Sequence, residues 1–544
     1  MLLPYLSLLL TPFLVDGAAA TVKLRDFMVE NGFIKQHYCL RTTLIGIDIS
    51  IFLDAFCAAD MAVKQMHATT SPLSQLFKFL CYLSQAGVHG IFVYDGKERP
   101  RIKRGRQVIT REPGYYTQAR ALIEAFGYYA HTAPGEADAE LAEMCKRGLV
   151  DAVFTKDSDL LPLGAPRIFR PLRLDHKPRN FKDFETVLMY NAETIESHLE
   201  FSHAGLILIS LLLKNDYSDG VNGIGSETAA GLAKCGYGDD LLKAYSSFST
   251  MPQQLAEAFD RLNNDMVEEL EFNTQHKLRY RSPYKANVLR VSRFPSLRDL
   301  STLTAFLEPV TSWSRSMDSS GVPSASKWPP RTPDIMEITK FCCNNFGWPN
   351  KHALKRFHAE LWPAVIMRML SSKYLRFKEK EAEILVPRLQ STFEIDANGK
   401  SYPSMLSTIV RNKNSLRLQG MRANDTISTT FTTEFFLQLT GLVSSVSETF
   451  RRVDVPAAMI AVALQQSDQI RGLNKRLGPP PSHVIHVEID ILDHGNASGS
   501  GQNYQENPTK RKHARTSLNE RDEPKRLRPM LKDLGTIELT DSED

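Results

Sequence analysis

The stretches LIGIDIS (44–50), HGIFVYD (89–95) and DAVFTKDSD (151–159) each run from a short apolar block into an acidic residue. Apolar blocks of this length read as buried strands. Between them lie PLSQLFKFLCYLSQAG (72–87) and EADAELAEMCKRG (136–148), which read as amphipathic helices. Strands alternating with helices predict an α/β fold whose parallel sheet is covered on both faces. Ligands of such sheets sit beyond the carboxyl ends of the strands. Asp48, Asp95, Asp157 and Asp159 fall there.

The surrounding chain, 544 residues in all, has room for two or three domains. Its 42% hydrophobic and 24% charged residues are ordinary for a globular protein, and a net charge of +4 does not by itself argue for nucleic acid. The seven cysteines (Cys39, Cys57, Cys81, Cys145, Cys235, Cys342 and Cys343) include no CxxC pair. They read as free thiols of a reducing, intracellular compartment and argue against a cysteine zinc site. Residues 2–15 are apolar and precede Ala18, Ala19 and Ala20, as in a signal peptide. No Lys or Arg precedes them, however, and Pro4 and Pro12 interrupt them. The stretch is also shorter than the ~20 residues that span a bilayer. A buried N-terminal helix or an imperfect gene model is the better reading, with no membrane partner.

Further boundaries follow composition. Residues 1–200 hold the α/β core and 201–310 a helical region. Residues 311–331 (TSWSRSMDSSGVPSASKWPPR) are a Ser- and Pro-rich linker. Residues 332–450, with STFEID and TISTTFTTEFFLQL, predict a small α+β module. From 470 to 544 the composition turns to Pro, Ser, Asn, Gly and charge, which predicts disorder. There is no internal repeat.

A single strand-end aspartate is ordinarily a helix cap or a solvated loop acid. Here the acids come in ordered blocks: PGEADAE (134–140), TKDSDLL (155–161) and LLLKNDYSDGVNGIG (211–225). Two carboxylates ~4 Å apart repel by about 1 kcal/mol in water and several times that near a protein surface. A convergent group therefore calls for protons or cations. Oxygen-only ligands suit hard octahedral ions, so Mg2+ is the natural guest, with Mn2+ able to substitute. Two such ions can clamp the attacking and leaving oxygens of a phosphodiester.

IGIDIS (45–50), IFVYDGKERPRIK (91–103), APGEADAELA (133–142), FTKDSDLL (154–161) and NDYSDGVNGIG (215–225), in this order, resemble the flap endonuclease/XPG family of PIN-like nucleases. The resemblance covers roughly residues 40–350 and is specific as a set. It implies that Asp48, Asp95, Glu136, Asp138, Asp157, Asp159 and Asp216 ligate two catalytic Mg2+ ions. It also implies that Lys103, eight residues beyond Asp95, holds the scissile phosphate, with Arg104, Arg106 and Arg111 as secondary contacts. Six of the ten residues in KERPRIKRGR (97–106) are basic, which favours phosphate contact over a merely solvated loop. GIGSETAAGLAK (223–234) resembles the family's helix-turn-helix DNA anchor, a hairpin that often holds K+. In it Gly223 and Gly225 let backbone amides approach phosphates, and Lys234 closes the helix.

Glu136 lies only 41 residues beyond Asp95, short for an arch over a threaded 5′ end. TPDIMEITKFCCNNFGWPNKHALKRF (332–357) and the module after it resemble the Holliday-junction-resolving subgroup of fungal type, in which a chromodomain follows the nuclease core. The resemblance thus implies an endonuclease of branched double-stranded DNA, in repair and recombination, acting as a dimer on junctions. A monomeric 5′-flap or bubble nuclease and a catalytically weakened DNA-binding scaffold are the alternatives. Two departures keep the scaffold in view. MLLPYLSLLL lacks the Gly-containing block with which the family begins, and Lys214 and Asn215 precede Asp216 where small residues usually stand. In the tail, Lys510-Arg511-Lys512 and Lys525-Arg526-Leu527-Arg528 read as a bipartite nuclear import signal. The final TIELTDSED has the pattern of a SUMO-interacting strand.

Overall fold

The computed structural model describes residues 19–34, 43–50, 52–54, 56, 72–100, 102–103, 106–107, 114–157, 159–171, 185–215, 217–296, 299–314, 322–371, 376–378, 383–387, 393–395, 401–403, 405–409, 421–442 and 450–465. The signal-like N-terminus and the tail with its import and SUMO-type motifs lie outside the described residues.

Strands β1 (Ala19–Lys23), β2 (Ile45–Asp48), β3 (Gly90–Tyr94), β6 (Tyr129–Thr132), β7 (Ala152–Phe154), β8 (Arg167–Pro171) and β9 (Thr186–Asn191) form one seven-stranded sheet in the order β1-β9-β8-β7-β2-β3-β6. The short strands β4 (Ile102–Lys103) and β5 (Arg106–Gln107) pair with each other, Lys103 opposite Arg106. The run β8-β7-β2-β3-β6 is parallel, and β9 and β1 add an antiparallel edge. The chain moves outward from β2 through β3 to β6, then returns to lay β7 and β8 on the other side of β2. Strand order therefore reverses between β2 and β7, where open α/β sheets leave a crevice at their carboxyl ends.

Period-two alternation feeds two apolar cores, one on each face. Ile45, Ile47, Phe92 and Tyr94 join the first core, and Ile91, Val93 and Val153 the second. The first core is covered by α1 (Pro72–Gln85) and α2 (Tyr115–Ala125), with α8 (Ile335–Phe346) and α9 (Trp362–Leu370) from the C-terminal half. The second is covered by α3 (Ala137–Lys146), α4 (His203–Leu212), α5 (Ser226–Lys234), α6 (Pro252–Phe272) and α7 (Pro283–Ser292). The fold is thus the expected parallel sheet between helices. The strands are shorter than the apolar blocks predicted. β2 stops at Asp48, whose Oδ1 accepts a hydrogen bond from the Ser50 amide at 3.0 Å and turns the chain into a helical segment. β7 stops at Phe154, which leaves Asp157 and Asp159 on the following turn.

Beyond α9, strands Arg376–Lys378, Glu383–Pro387 and Met405–Ile409 form a small antiparallel sheet, and Thr426–Thr432 pairs with Phe450–Pro456. Helices Glu434–Thr440 and Ala457–Gln465 complete an α+β arrangement. It is packed onto the first core, with the Trp362 and Phe436 rings 5.3 Å apart. Among the described residues no helix is long and apolar enough to cross a membrane.

Candidate active site

Four strand or helix ends meet at the crevice. Asp48 ends β2 and is buried, Asp95 follows β3, Glu136 is the buried N-cap of α3, and Asp157 and Asp159 follow β7. The β3 and α3 ends are locked together by backbone. The Gly96 amide donates to Gly135 O at 2.6 Å, and a Cβ on Gly96 would stand 1.9 Å from Ala133 O. No side chain fits there, so a glycine must follow Asp95 for the two loops to close. The Ala137 amide, at the start of α3, then donates to Asp95 Oδ1 at 2.9 Å. A carboxylate at a helix N-terminus is favoured by the helix dipole and the open amides.

The acids lie around two tyrosines, Tyr116 buried and Tyr217 partly buried. Tyr217 donates its hydroxyl to Glu136 Oε2. Burial first, then the Glu136 charge and hydrogen bond, then Asp159 and Asp138, push the Tyr217 hydroxyl well above its usual range. It therefore stays protonated and remains a donor. Tyr116 is pushed up likewise, by burial first and then by Asp54, with Asp95 and Asp48 adding and the neighbouring Ser50 side chain opposing. Asp95, which faces Tyr116 and caps α3, joins the two groups. The Asp157 carboxylate accepts the Asp159 amide at 3.0 Å and its own amide donates to Thr155 Oγ1 at 3.0 Å, so the D-x-D turn braces itself.

Sequence reasoning missed four residues here. Arg99 Nη1 pairs with Asp95 Oδ2 at 3.0 Å and is a cation within the acidic group. Asp54, an exposed side chain, is an additional acid, raised by partial desolvation first and by the Asp95 charge second, against the lowering effect of Arg99. Tyr116 and Tyr217 are the others. Only Tyr217, beside Asp216, carried a positional signal. The third acid of the PGEADAE block has a different task. Glu140 is wholly buried and accepts from the Ser312 amide at 2.8 Å, from Ser312 Oγ at 2.5 Å, and from His131 Nε2 at 2.8 Å. It ties α3 to the chain after the helical region.

The other expected residues divide. Asp216 and Arg104 and Arg111 lie outside the described residues; Lys103 and Arg106 are described only as backbone of the β4–β5 pair. Lys214 turns to solvent and pairs with Asp219 at 2.8 Å, both largely exposed. Asn215 is buried and braces the turn: its Oδ1 accepts from the Tyr217 and Ser218 amides at 2.7 and 2.8 Å, and its Nδ2 donates to Ser210 O. The unusual pair before Asp216 thus serves the loop, and Lys214 does not point a charge at the acids. Gly223 has φ of 97°, a left-handed turn that favours glycine, and Gly225 is the N-cap of α5. Lys234 ends α5 with its Nζ 5.4 Å from the Phe201 ring centroid.

The donor set is oxygen-only and suits a hard cation, and three of its members, Asp48, Glu136 and Asp159, are buried. Among the described residues, no three His, Cys, Asp or Glu side chains form by themselves a group able to hold an ion.

A seven-stranded, mostly parallel sheet flanked by helices, with acids at its switch point, is a PIN-like nuclease fold. It is similar to the solved structure of the Holliday junction-resolving enzyme GEN1 in complex with product DNA and Mg2+, with a TM-score of 0.54 and 19% identity over 82% of this chain and 94% of that one. The XPG I-region model matches residues 127–216, from the turn before β6 to Asp216. Flap endonuclease GEN homolog 1 of Homo sapiens is 27% identical over 240 residues, 40% of this chain and 25% of the relative. Flap endonuclease GEN of Drosophila pseudoobscura pseudoobscura is 29% identical over 264 residues, 43% of this chain and 32% of the relative. The chain thus spans a quarter to a third of the length of these two relatives. Residues 127–216 thus match the XPG I-region, and about two fifths of the chain is similar to flap endonucleases of the GEN type.

Proposed function

We propose that the chain is a Mg2+-dependent, structure-specific DNA endonuclease that hydrolyses phosphodiester bonds in branched DNA, Holliday junctions and 5′ flaps. The observation that carries the proposal is the convergence of acids from the ends of β2, β3 and β7 and the start of α3 around Tyr116 and Tyr217. In this reading Asp48, Asp95, Glu136, Asp138, Asp157, Asp159 and Asp216 ligate two Mg2+ ions, for which Mn2+ can substitute. Mg2+ usually keeps several waters, through which most of these acids would reach it while one or two carboxylates bind it directly, so no closed three-acid cage is required. Bound there, the ions supply a nucleophilic water and stabilise the departing oxygen. Tyr217 orients Glu136 through its hydroxyl, and Asn215 holds the loop that carries Asp216. Arg99 neutralises part of the acid charge before substrate arrives.

Lys103, with Arg104, Arg106 and Arg111, contacts the scissile strand, and Gly223, Gly225 and Lys234 grip duplex backbone, the hairpin holding K+. The chromodomain-like module is an added DNA contact, the protein acts as a dimer on junctions, and the tail directs it to the nucleus and engages SUMO or a SUMO-modified partner. The domain division is that of residues 1–200, 201–310, 311–331, 332–450 and 470–544, with α8 and α9 docked on the nuclease core. Cleavage of an immobile four-way junction and of a 5′ flap, compared at equal enzyme, tests the substrate class. Paired symmetric nicks on the junction support it. Cutting of the flap alone replaces it with a flap nuclease, and binding without cutting of either leaves a DNA-binding scaffold.

A further inference from the structure

We infer that residues 273–293 form a second grip on DNA backbone, continuous with the 223–234 hairpin, which holds a duplex arm of the substrate. The inference rests on the branched-DNA reading above. From Asn273 to Arg298 the sequence carries seven Lys or Arg and no Asp or Glu. Such a run has the charge that a phosphate backbone complements.

The loop between α6 and α7 is built stiff. Buried Glu269 accepts the amides of Thr274 and Gln275 at 3.1 and 3.0 Å. Asn273 and Leu278 exchange two hydrogen bonds, Nδ2 to Leu278 O at 2.9 Å and the Leu278 amide to Oδ1 at 3.1 Å. Leu278 is buried against α5, where a Cβ on Gly231 would meet its Cδ2 at 2.6 Å. The loop is thereby seated on the second helix of the hairpin. Lys285 Nζ donates to Thr228 Oγ1 at 2.6 Å, and the Tyr284 hydroxyl lies 4.0 Å from the position of a Cβ on Gly223. The two segments make one surface.

On its outer side Tyr280 is 64% and Tyr284 72% exposed, next to exposed Arg279 and Arg281. Large aromatic side chains so exposed on a stiff frame lose little freedom when a partner covers them. Arg279 pairs with Glu227 at 2.9 Å, but both are exposed, and such a pair is worth only ~0–1 kcal/mol. A phosphate can displace it. The Arg279 guanidinium lies 5.0 Å from the Tyr280 ring centroid, over its face. That occupies a stacking face that a single-stranded base would use. It leaves the hydroxyls and guanidinium groups for phosphates, which favours a duplex arm.

The test uses the full chain carrying Arg279→Gln with Arg281→Gln, and separately Tyr280→Ser with Tyr284→Ser. Binding to an immobile four-way junction, a linear duplex and a single strand is measured by fluorescence anisotropy in EDTA across a salt series. All four side chains are exposed, so circular dichroism and thermal midpoint serve as the folding control. Loss of two phosphate contacts should weaken junction and duplex binding and flatten the slope of log K against log salt by about 2. The tyrosine pair should weaken both with a smaller change of slope. Wild-type binding with unchanged affinity and slope in both variants overturns the grip and leaves the functional reading standing. A loss confined to the single strand overturns the duplex assignment. Failure of the wild type to bind the junction overturns both the inference and the reading beneath it.

Discussion

Replacing Arg368 with Met should unfold the protein more readily without touching the chemistry of the site. Arg368 comes from α9 and is buried against the amino-terminal ends of β3 and β6, the opposite end of the sheet from the acids. Its Nη1 donates to Val88 O at 2.9 Å and to His89 Nδ1 at 3.0 Å. Its Nη2 donates to Gly127 O at 3.2 Å and to Arg331 O at 2.6 Å, and the guanidinium lies 5.0 Å from the Tyr128 ring centroid. Removing it strands the buried carbonyls of Val88 and Gly127 and the partly buried one of Arg331 at up to ~1–3 kcal/mol each, a gross loss of ~2–9 kcal/mol. Relief from burying a guanidinium, whose own pKa is lowered by that burial, returns several kcal/mol. The net expectation is a loss of about 3 kcal/mol. Urea unfolding followed by tryptophan fluorescence is a suitable assay, because Trp362 is fully buried in the same helix. Junction cleavage per folded molecule should be unchanged in the cold. A stability loss under about 1 kcal/mol would refute the claim that this guanidinium fastens the C-terminal helices to the core.

Tyr217→Phe removes the hydroxyl that orients Glu136, and the Mg2+ concentration for half-maximal cleavage should rise about tenfold; an unchanged Mg2+ titration contradicts that role. Glu140→Gln should cost about 1–3 kcal/mol of stability, read by denaturation, while cleavage stays near wild type; loss of cleavage at full stability would place Glu140 among the catalytic acids instead. His89 is held well below its usual pKa by burial and, second, by Arg368. The unfolded chain takes up that proton near pH ~6.5 whereas the folded one does not, so stability should fall as pH drops from about 6.5 toward the depressed folded value. Unfolding measured at pH 7.5 and 5.5 should show a shallower fall in His89→Gln than in wild type, and equal falls would count against it.

The carboxyl ends of β2, β3 and β7 were legible because an apolar block running into an acid is a local pattern. β1 and β8 were not. β1 is a mostly exposed edge strand, and β8 (RIFRP) buries Arg170, whose Nη2 donates to Lys156 O at 2.9 Å, so neither presents apolar alternation. Glu136 and Glu140 look alike in sequence. Only the return of Ser312, 172 residues later, separates a structural acid from a site acid. Lys214 read as a departure beside Asp216 because sequence spacing does not say which way a side chain leaves a loop. Asn215, buried and bonded three ways, settles the direction of that turn. The docking of α8 and α9 was hidden for a similar reason: the linker-like composition before residue 332 predicts a boundary and says nothing of the shared core beyond it.

The most direct test of the central claim is cleavage of an immobile four-way junction by the wild type and by Asp157→Ala, with Mg2+ and with EDTA, alongside junction binding by both. The account predicts Mg2+-dependent nicks from the wild type, and binding without nicks from Asp157→Ala. Wild-type protein that binds the junction yet cuts it with neither Mg2+ nor Mn2+, or Asp157→Ala that cuts as fast as wild type, would contradict it.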